Sequence, residues 1–266
     1  MKKLLMAGCT ILLLNNVRAQ QTSGTVTYVR TMQMQMHIID DHQGEKTIPQ
    51  SRTDKFELTF GNNQSLWKHA EEEMENDELG GNGNGVHIRM IGVGQDDVSY
   101  CNFDLAKKVD QRDMFEKKFI VTDSIKKLAW KLTGETQTLL GHVCQKAIAE
   151  RPTKRMTMNM DNGKMERKEV DDTAKLVAWF TTDIPVPAGP EVAGQLPGLI
   201  LMLDMGDGRT VYKATEISDK VKPDDIKEPV KGKKVTPDEF RAETNKMMDE
   251  MQQNHPGGNR TIRIQN

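Results

Sequence analysis

Gly24-Thr25-Val26-Thr27-Tyr28-Val29, continuing through Met32-Gln33-Met34-Gln35-Met36-His37-Ile38, is the stretch whose reading decides the fold. Apolar and polar residues alternate along it with a period of two, which sends them to opposite faces of an extended strand. The reading is a long β-strand with one wet face.

Working outward, Phe56, Leu58 and Phe60 repeat the alternation, and Gly61-Asn62-Asn63-Gln64 supplies turn chemistry before Leu66-Trp67, so this region reads as a hairpin. Further strands are predicted at Val86–Ile91, Val98–Phe103, Lys117–Val121, Gly141–Ala149, Arg155–Met160, Leu176–Thr181, Leu199–Leu203 and Thr210–Ile217. Asp161-Asn162-Gly163 and Met205-Gly206-Asp207-Gly208 read as turns between them, the latter holding an Asp-Gly pair suited to positive φ. Strands do not alternate with long helices. The pattern therefore predicts a mainly β protein: a curved, mostly antiparallel sheet, half-barrel or open-barrel like.

Residues 69–85 combine the acidic run from Glu71 to Glu78 with Gly80-Gly81-Asn82-Gly83-Asn84-Gly85, too little apolar surface to order itself, and read as a mobile loop. The domain boundaries follow: a β-rich domain over 20–221, a charged linker over 222–236 with Pro223 and Pro229, a helix over 237–253 and a disordered tail over 254–266. Thr236-Pro237-Asp238-Glu239 opens the helix with an N-cap, a proline at the first helical position and early acids. Phe240, Thr244, Met247, Met248 and Met251 form a narrow stripe along it, the amphipathic pattern of a helix that packs as a lid or binds another protein.

At the other end, Lys2-Lys3, an apolar run from Leu4 to Leu14 and Val17-Arg18-Ala19 form a signal peptide cleaved after Ala19, so the chain is expected in the periplasm or secreted. No later segment approaches the ~20 apolar residues of a membrane-spanning helix. The chain of 266 residues is 36% hydrophobic and 29% charged, and 37 basic against 39 acidic residues leave a formal charge of -2, too weak a field to gather nucleic acid. Of three cysteines, Cys9 lies in the signal peptide; Cys101 and Cys144 meet an oxidising compartment, where a disulfide between them would stabilise the fold by about 4 kcal/mol. The alternative is two separate buried thiols.

The densest motif is Ala178-Trp179-Phe180-Thr181-Thr182-Asp183-Ile184-Pro185, followed by Gly189-Pro190 and Leu196-Pro197-Gly198-Leu199-Ile200-Leu201. With Trp130 and Cys144-Gln145-Lys146-Ala147, it resembles the GLPGLI family, exported bacterial proteins of unassigned activity. One departure is visible: the family pattern has glycine before Leu196, where this chain has Gln195, with Gly194 one place earlier. Read from the residues themselves, Pro197-Gly198 suits the centre of a type II turn, and Ile184-Pro185-Val186-Pro187 suits stiff polyproline II geometry, so the passage from Trp179 through Pro185, Pro190 and Leu196 to Leu199 and Ile200 reads as a structural lock.

Catalytic signatures are missing from the sequence. The six histidines show no metal-protease spacing, there is no nucleophile elbow, phosphate loop or dinucleotide fingerprint, and Asp40-Asp41, Asp96-Asp97 and Asp171-Asp172 are neighbours that a strand would point apart. The functional expectation is a non-enzymatic envelope-support or binding protein, without cofactor, for a hydrophobic ligand or an envelope protein partner. The alternative is periplasmic copper handling, because Met32, Met34 and Met36 would project from one strand face and thioethers suit Cu(I).

Overall fold

A computed structural model of the chain describes residues 21–40, 44–70, 96–114, 117–161, 164–221, 223–254 and 263–265. The expected signal peptide, most of the loop expected over 69–85 and the strand expected at 86–91 lie outside the described residues. The strands are β1 Gly24–Asp40, β2 Gly44–Gly61, β3 Gln64–His69, β4 Val98–Asn102, β5 Lys107–Met114, β6 Lys117–Ser124, β7 Lys131–Leu139, β8 His142–Asp161, β9 Lys164–Thr181, β10 Leu199–Met205, β11 Thr210–Ser218, β12 Lys233–Val235 and β13 Arg263–Gln265. All join one open sheet in the order β12-β6-β5-β4-β3-β2-β1-β11-β10-β9-β8-β7, with β13 added on β1; its pairs are antiparallel except β12 on β6. The mainly β, mostly antiparallel reading holds.

The predicted hairpin is present. Asn62 and Asn63 take φ of 52° and 55° between Gly61 and Gln64, the left-handed conformation asparagine tolerates better than most residues. Two corrections concern strand length. Gly141–Ala149 and Arg155–Met160 are one strand, β8, because Pro152 sits opposite Thr173 without breaking the register. β5 and β7 were missed, since Lys107–Met114 and Lys131–Leu139 are mostly polar and bury little.

The expected linker is also corrected. Within 222–236, Ile226 is buried with Tyr100, Val109 and Ile120, and β12 pairs with β6, so the segment is bound to the sheet. Helix α1, Pro237–Asn254, begins with a capping box: the Thr236 hydroxyl accepts from the Glu239 N–H at 3.3 Å and the Glu239 carboxylate accepts from the Thr236 N–H at 2.7 Å. It packs on the sheet. Met247 is buried with Phe119, Val121 and Val235, and the Phe240 ring meets Phe119 edge-on at 5.4 Å. The tail is not disordered throughout, because β13 pairs with β1. No described helix is long and apolar enough to cross a membrane.

The main core lies on one face of the sheet. Val26 and Tyr28 of β1, Phe56, Leu58 and Phe60 of β2, Leu176, Ala178 and Phe180 of β9, and Leu199, Ile200, Leu201 and Leu203 of β10 meet there. What covers them is the connection between β9 and β10, whose Ile184, Val186, Ala188, Val192 and Leu196 are all buried. The lock reading fits this placement, but its geometry differs from expectation. Val186 and Ala188 donate their N–H groups to the carbonyls of Ile184 and Val186, two tight turns centred on Pro185 and Pro187, whereas a polyproline II helix has no internal hydrogen bonds.

Pro197-Gly198 is likewise not a type II turn, since Gly198 does not take positive φ. The glycine is required by proximity: a Cβ there would overlap the Thr181 carbonyl. Positive φ falls instead on Gly194, at 83°. Gln195, the departure from the family pattern, has a task of its own, because its Oε1 accepts from the Leu128 N–H and from the Trp130 indole N–H, each at 3.0 Å.

Candidate functional site

Strand register builds the site. On the core-facing side, Arg30 is paired with Asp54 on one flank and Tyr212 on the other, Tyr28 with Phe56, Phe56 with His69, Leu58 with Trp67, Trp67 with Ser99, Ser65 with Cys101, Ser99 with Asp110 and Cys101 with Lys108. Cross-strand partners share a face, so this side changes from apolar on β1 and β2 to polar on β4 and β5. Beyond it, Phe119 pairs with Arg112 and Val121 with Asp110, which puts the helix-covered patch on the same face again. A polar strip is therefore left between two covered apolar zones.

Over that strip lies a cleft of about 180 Å³, walled by Arg30, Phe56, Trp67, His69, Asp97 and Arg112 and, from the β9–β10 connection, by Gly189, Glu191 and Ala193. Ser65, Ser99, Cys101 and Lys108 also line it. Its aromatic side is ordered by stacking: Phe56 lies nearly parallel to Trp67 at 5.0 Å, His69 sits 4.2 Å from Phe56, Tyr212 meets Trp67 edge-on at 5.8 Å, and the Arg30 guanidinium stands 4.7 Å from the Phe56 ring.

The charges are paired. Arg30 donates twice to Asp54, at 2.7 and 3.2 Å, and Arg52 meets the other oxygen of Asp54. Arg112 joins Asp97 at 2.9 Å and Asp110 at 3.1 Å, and the Ser99 hydroxyl also donates to Asp110. Burial opposes ionisation of Asp54 and Asp110, yet their cationic neighbours hold both below the usual carboxylate range. Burial and the nearby Arg30 charge push His69 down, so its imidazole is neutral near pH 7. Tyr212 donates to Glu191 at 2.8 Å, and burial together with that carboxylate raises the phenol. Glu191 takes φ of 58°, a left-handed conformation unusual for a side chain of its size and a local strain held where the cleft wall turns.

The sequence-predicted residues fall elsewhere. Trp179, Pro185, Pro190, Leu196, Pro197, Gly198, Leu199 and Ile200 belong to the core and its cover. Met32, Met34 and Met36 share a face of β1, opposite Arg52, Gln50 and Ile48; Met32 is half-buried, and the other two side chains lie outside the described ones. Cys101 and Cys144 are both free, which corrects the expected disulfide. They stand on β4 and β8, separated in sheet order by six other strands; Cys101 is buried beside Ser65 and Lys108, and Cys144 lies in the main core. Burial pushes each thiol up to about 11, so both stay protonated at neutral pH.

The expected hydrophobic ligand meets a correction too. The apolar face on which it would lie is filled, among the described residues, by the chain's own 184–198 segment. The cleft residues were missed in the sequence because they converge from β1, β2, β3, β4, β5, β11 and the β9–β10 connection. One signal was readable: the Phe56-Leu58-Phe60 alternation facing Trp67 and His69 across a two-residue turn puts an aromatic cluster on one face.

Residues 130–202 match a family model described as a protein of unknown function (Porph_ging), a span that holds Trp130, Cys144 and the whole β9–β10 connection. No curated protein matches the chain. Among solved structures, it is similar to PNGF-II in the C2 space group, with 14% identity and a TM-score of 0.46 over 81% of this chain and 32% of that one. It is also similar to PNGF-II in the P21 space group, with 16% identity and a TM-score of 0.45 over 82% of this chain and 33% of that one. The chain thus spans about a third of the PNGF-II chain, and its resemblance in sequence is to a family of unknown function.

Proposed function

We propose that this chain is an exported, non-enzymatic binding protein whose cleft takes a small neutral or zwitterionic ligand, flat and apolar on the side that meets Phe56 and Trp67 and hydrogen-bonding on the side that meets Arg112 and Glu191. The observation that carries this reading is the uncovered polar strip with its ordered aromatic wall, on a face otherwise sealed by residues 184–198 and by α1. Cation–carboxylate pairing along the strip favours a ligand without strong net charge. The size follows from the volume: about 180 Å³ lies below the range of drug-sized sites. A non-enzymatic role is supported by Asp54 and Asp110, which stay ionised beside their cations and so hold no proton for general-acid work at neutral pH.

The test is native mass spectrometry of the protein recovered from an envelope extract, wild type beside Trp67→Ala and Glu191→Ala. The expected result is a small-molecule adduct on the wild type that is lost from both variants while their circular dichroism is unchanged. An adduct retained equally by folded variants, or no adduct on any of the three, overturns the cleft as the binding site.

A further inference from the structure

The β10–β11 hairpin is shorter than the strands that flank it. β11 reaches only to Thr210, opposite Met32, and β10 only to Met205, opposite Leu176, so Gln33–Asp40 of β1 and Lys164–Lys175 of β9 run on beyond the turn at 206–209. That turn is fixed to both: Gln33 donates its N–H to the Arg209 carbonyl and Gly206 donates to the Lys175 carbonyl, each at 2.8 Å. β1 with β2 and β8 with β9 therefore form two arms flanking a notch two strands wide. At the base, β1 and β9 are three strand spacings apart, about 14 Å.

The edge of β1 that faces the notch is a row of backbone donors and acceptors, since β2 occupies only the other side. One occupant is visible. Arg263–Gln265 lies antiparallel on Gln35, Met36 and His37, three described residues against the seven positions 34–40. In sequence it belongs to Thr261-Ile262-Arg263-Ile264-Gln265-Asn266, where polar and apolar residues alternate. Eight residues, His255 to Ile262, separate it in sequence from α1 and include Pro256-Gly257-Gly258.

We propose that the notch edge of β1, residues 34–40, is a strand-addition site for an extended polypeptide of alternating apolar and polar residues, and that the strand Arg263–Gln265 is its competitor in cis. Three factors support this occupant. The chain's own strand shows the direction the edge accepts, among the described residues it covers fewer than half of these positions, and so short a pairing opens without disturbing the rest of the sheet. The open edge of β7 is the contrasting case, because no segment among the described residues lies on it. The inference is independent of the cleft.

The experiment uses a synthetic peptide with the sequence of residues 260–266 carrying a fluorophore, titrated against the full-length protein, a form ending at Gly258, and full-length Arg263→Pro. The Gln33 N–H points into the notch, so Gln35 and His37 face it too, and their partners Gln265 and Arg263 carry the ladder bonds; proline at 263 removes one of those donors without shortening the chain. The expected result is saturable anisotropy with the truncated and Arg263→Pro forms, at least tenfold weaker binding to the unaltered protein, and none for a peptide with proline at both 263 and 265. Equal binding to all three forms, or none to any, overturns the proposal. So does a truncated form that dimerises with rising concentration and ignores the peptide, since the edge would then belong to a second copy. If truncation unfolds the protein, as circular dichroism would reveal, the Arg263→Pro form decides.

Discussion

Gln195 shows how one side chain fixes a loop that sequence patterns describe only loosely. Its carbonyl oxygen holds two donors, the Leu128 amide and the Trp130 indole, so Gln195→Ala leaves both without their partner and is expected to cost about 1–3 kcal/mol in urea unfolding, with a shifted Trp emission in the native state. Gly198→Ala forces a methyl group into the Thr181 carbonyl, and a loss of about 3 kcal/mol in the same assay is the expected outcome. Unchanged stability in either variant would place the loop differently. The importance of this motif was legible in the sequence, but its mechanism was not: proline followed by glycine is the signature of a turn, and nothing local says that the glycine is needed because another strand's backbone passes over it. His69 is a residue that sequence reading passed over. Its pKa is lowered in the fold by burial and Arg30, so the unfolded chain binds the extra proton first; stability is full above about pH 6.5 and falls as pH drops below it. Melting temperatures measured from pH 7.5 to 5 should decline less steeply in His69→Gln than in the wild type.

At the scale of elements, α1 and the segment before it are parts of the fold. Deleting everything after Val221 removes Ile226, Val235 and Met247 from apolar contacts and uncovers Phe119, at about 1.5–3 kcal/mol for each buried side chain. A clearly lower melting temperature is expected, and an unchanged one would mean that the helix does not pack on β6. The helix itself was readable from its cap and stripe. The linker misled because its charged residues dominate the composition, while among its described residues Ile226 and Val235 are the buried ones and three residues of β12 suffice to attach it. β5 and β7 were unreadable for a related reason: strands whose faces are both half-polar lack the alternation that marks a strand.

For the molecule as a whole, the β class and the positions of most strands along the chain followed from period-two patterning and turn residues, because a sheet with one buried face imprints that rhythm on its central strands. What lay beyond the sequence was which residues fill the sheet's apolar face. The expectation of a hydrophobic ligand assumed that it stands open; instead the β9–β10 connection fills it and leaves the open cleft over the polar strip beside it. The free thiols belong to the same lesson, since two cysteines in a sequence say nothing of how many strands lie between them. The account therefore rests on the side chains of Ile184, Val186, Ala188, Val192, Leu196, Leu199 and Ile200 being interior, and native-state hydrogen exchange tests this most directly. The amides of Val186, Ala188, Gly194, Leu199 and Ile200, each bonded to a backbone carbonyl, should exchange only through global unfolding, as slowly as the central strands. Exchange of this group at the rate of an exposed loop would contradict it.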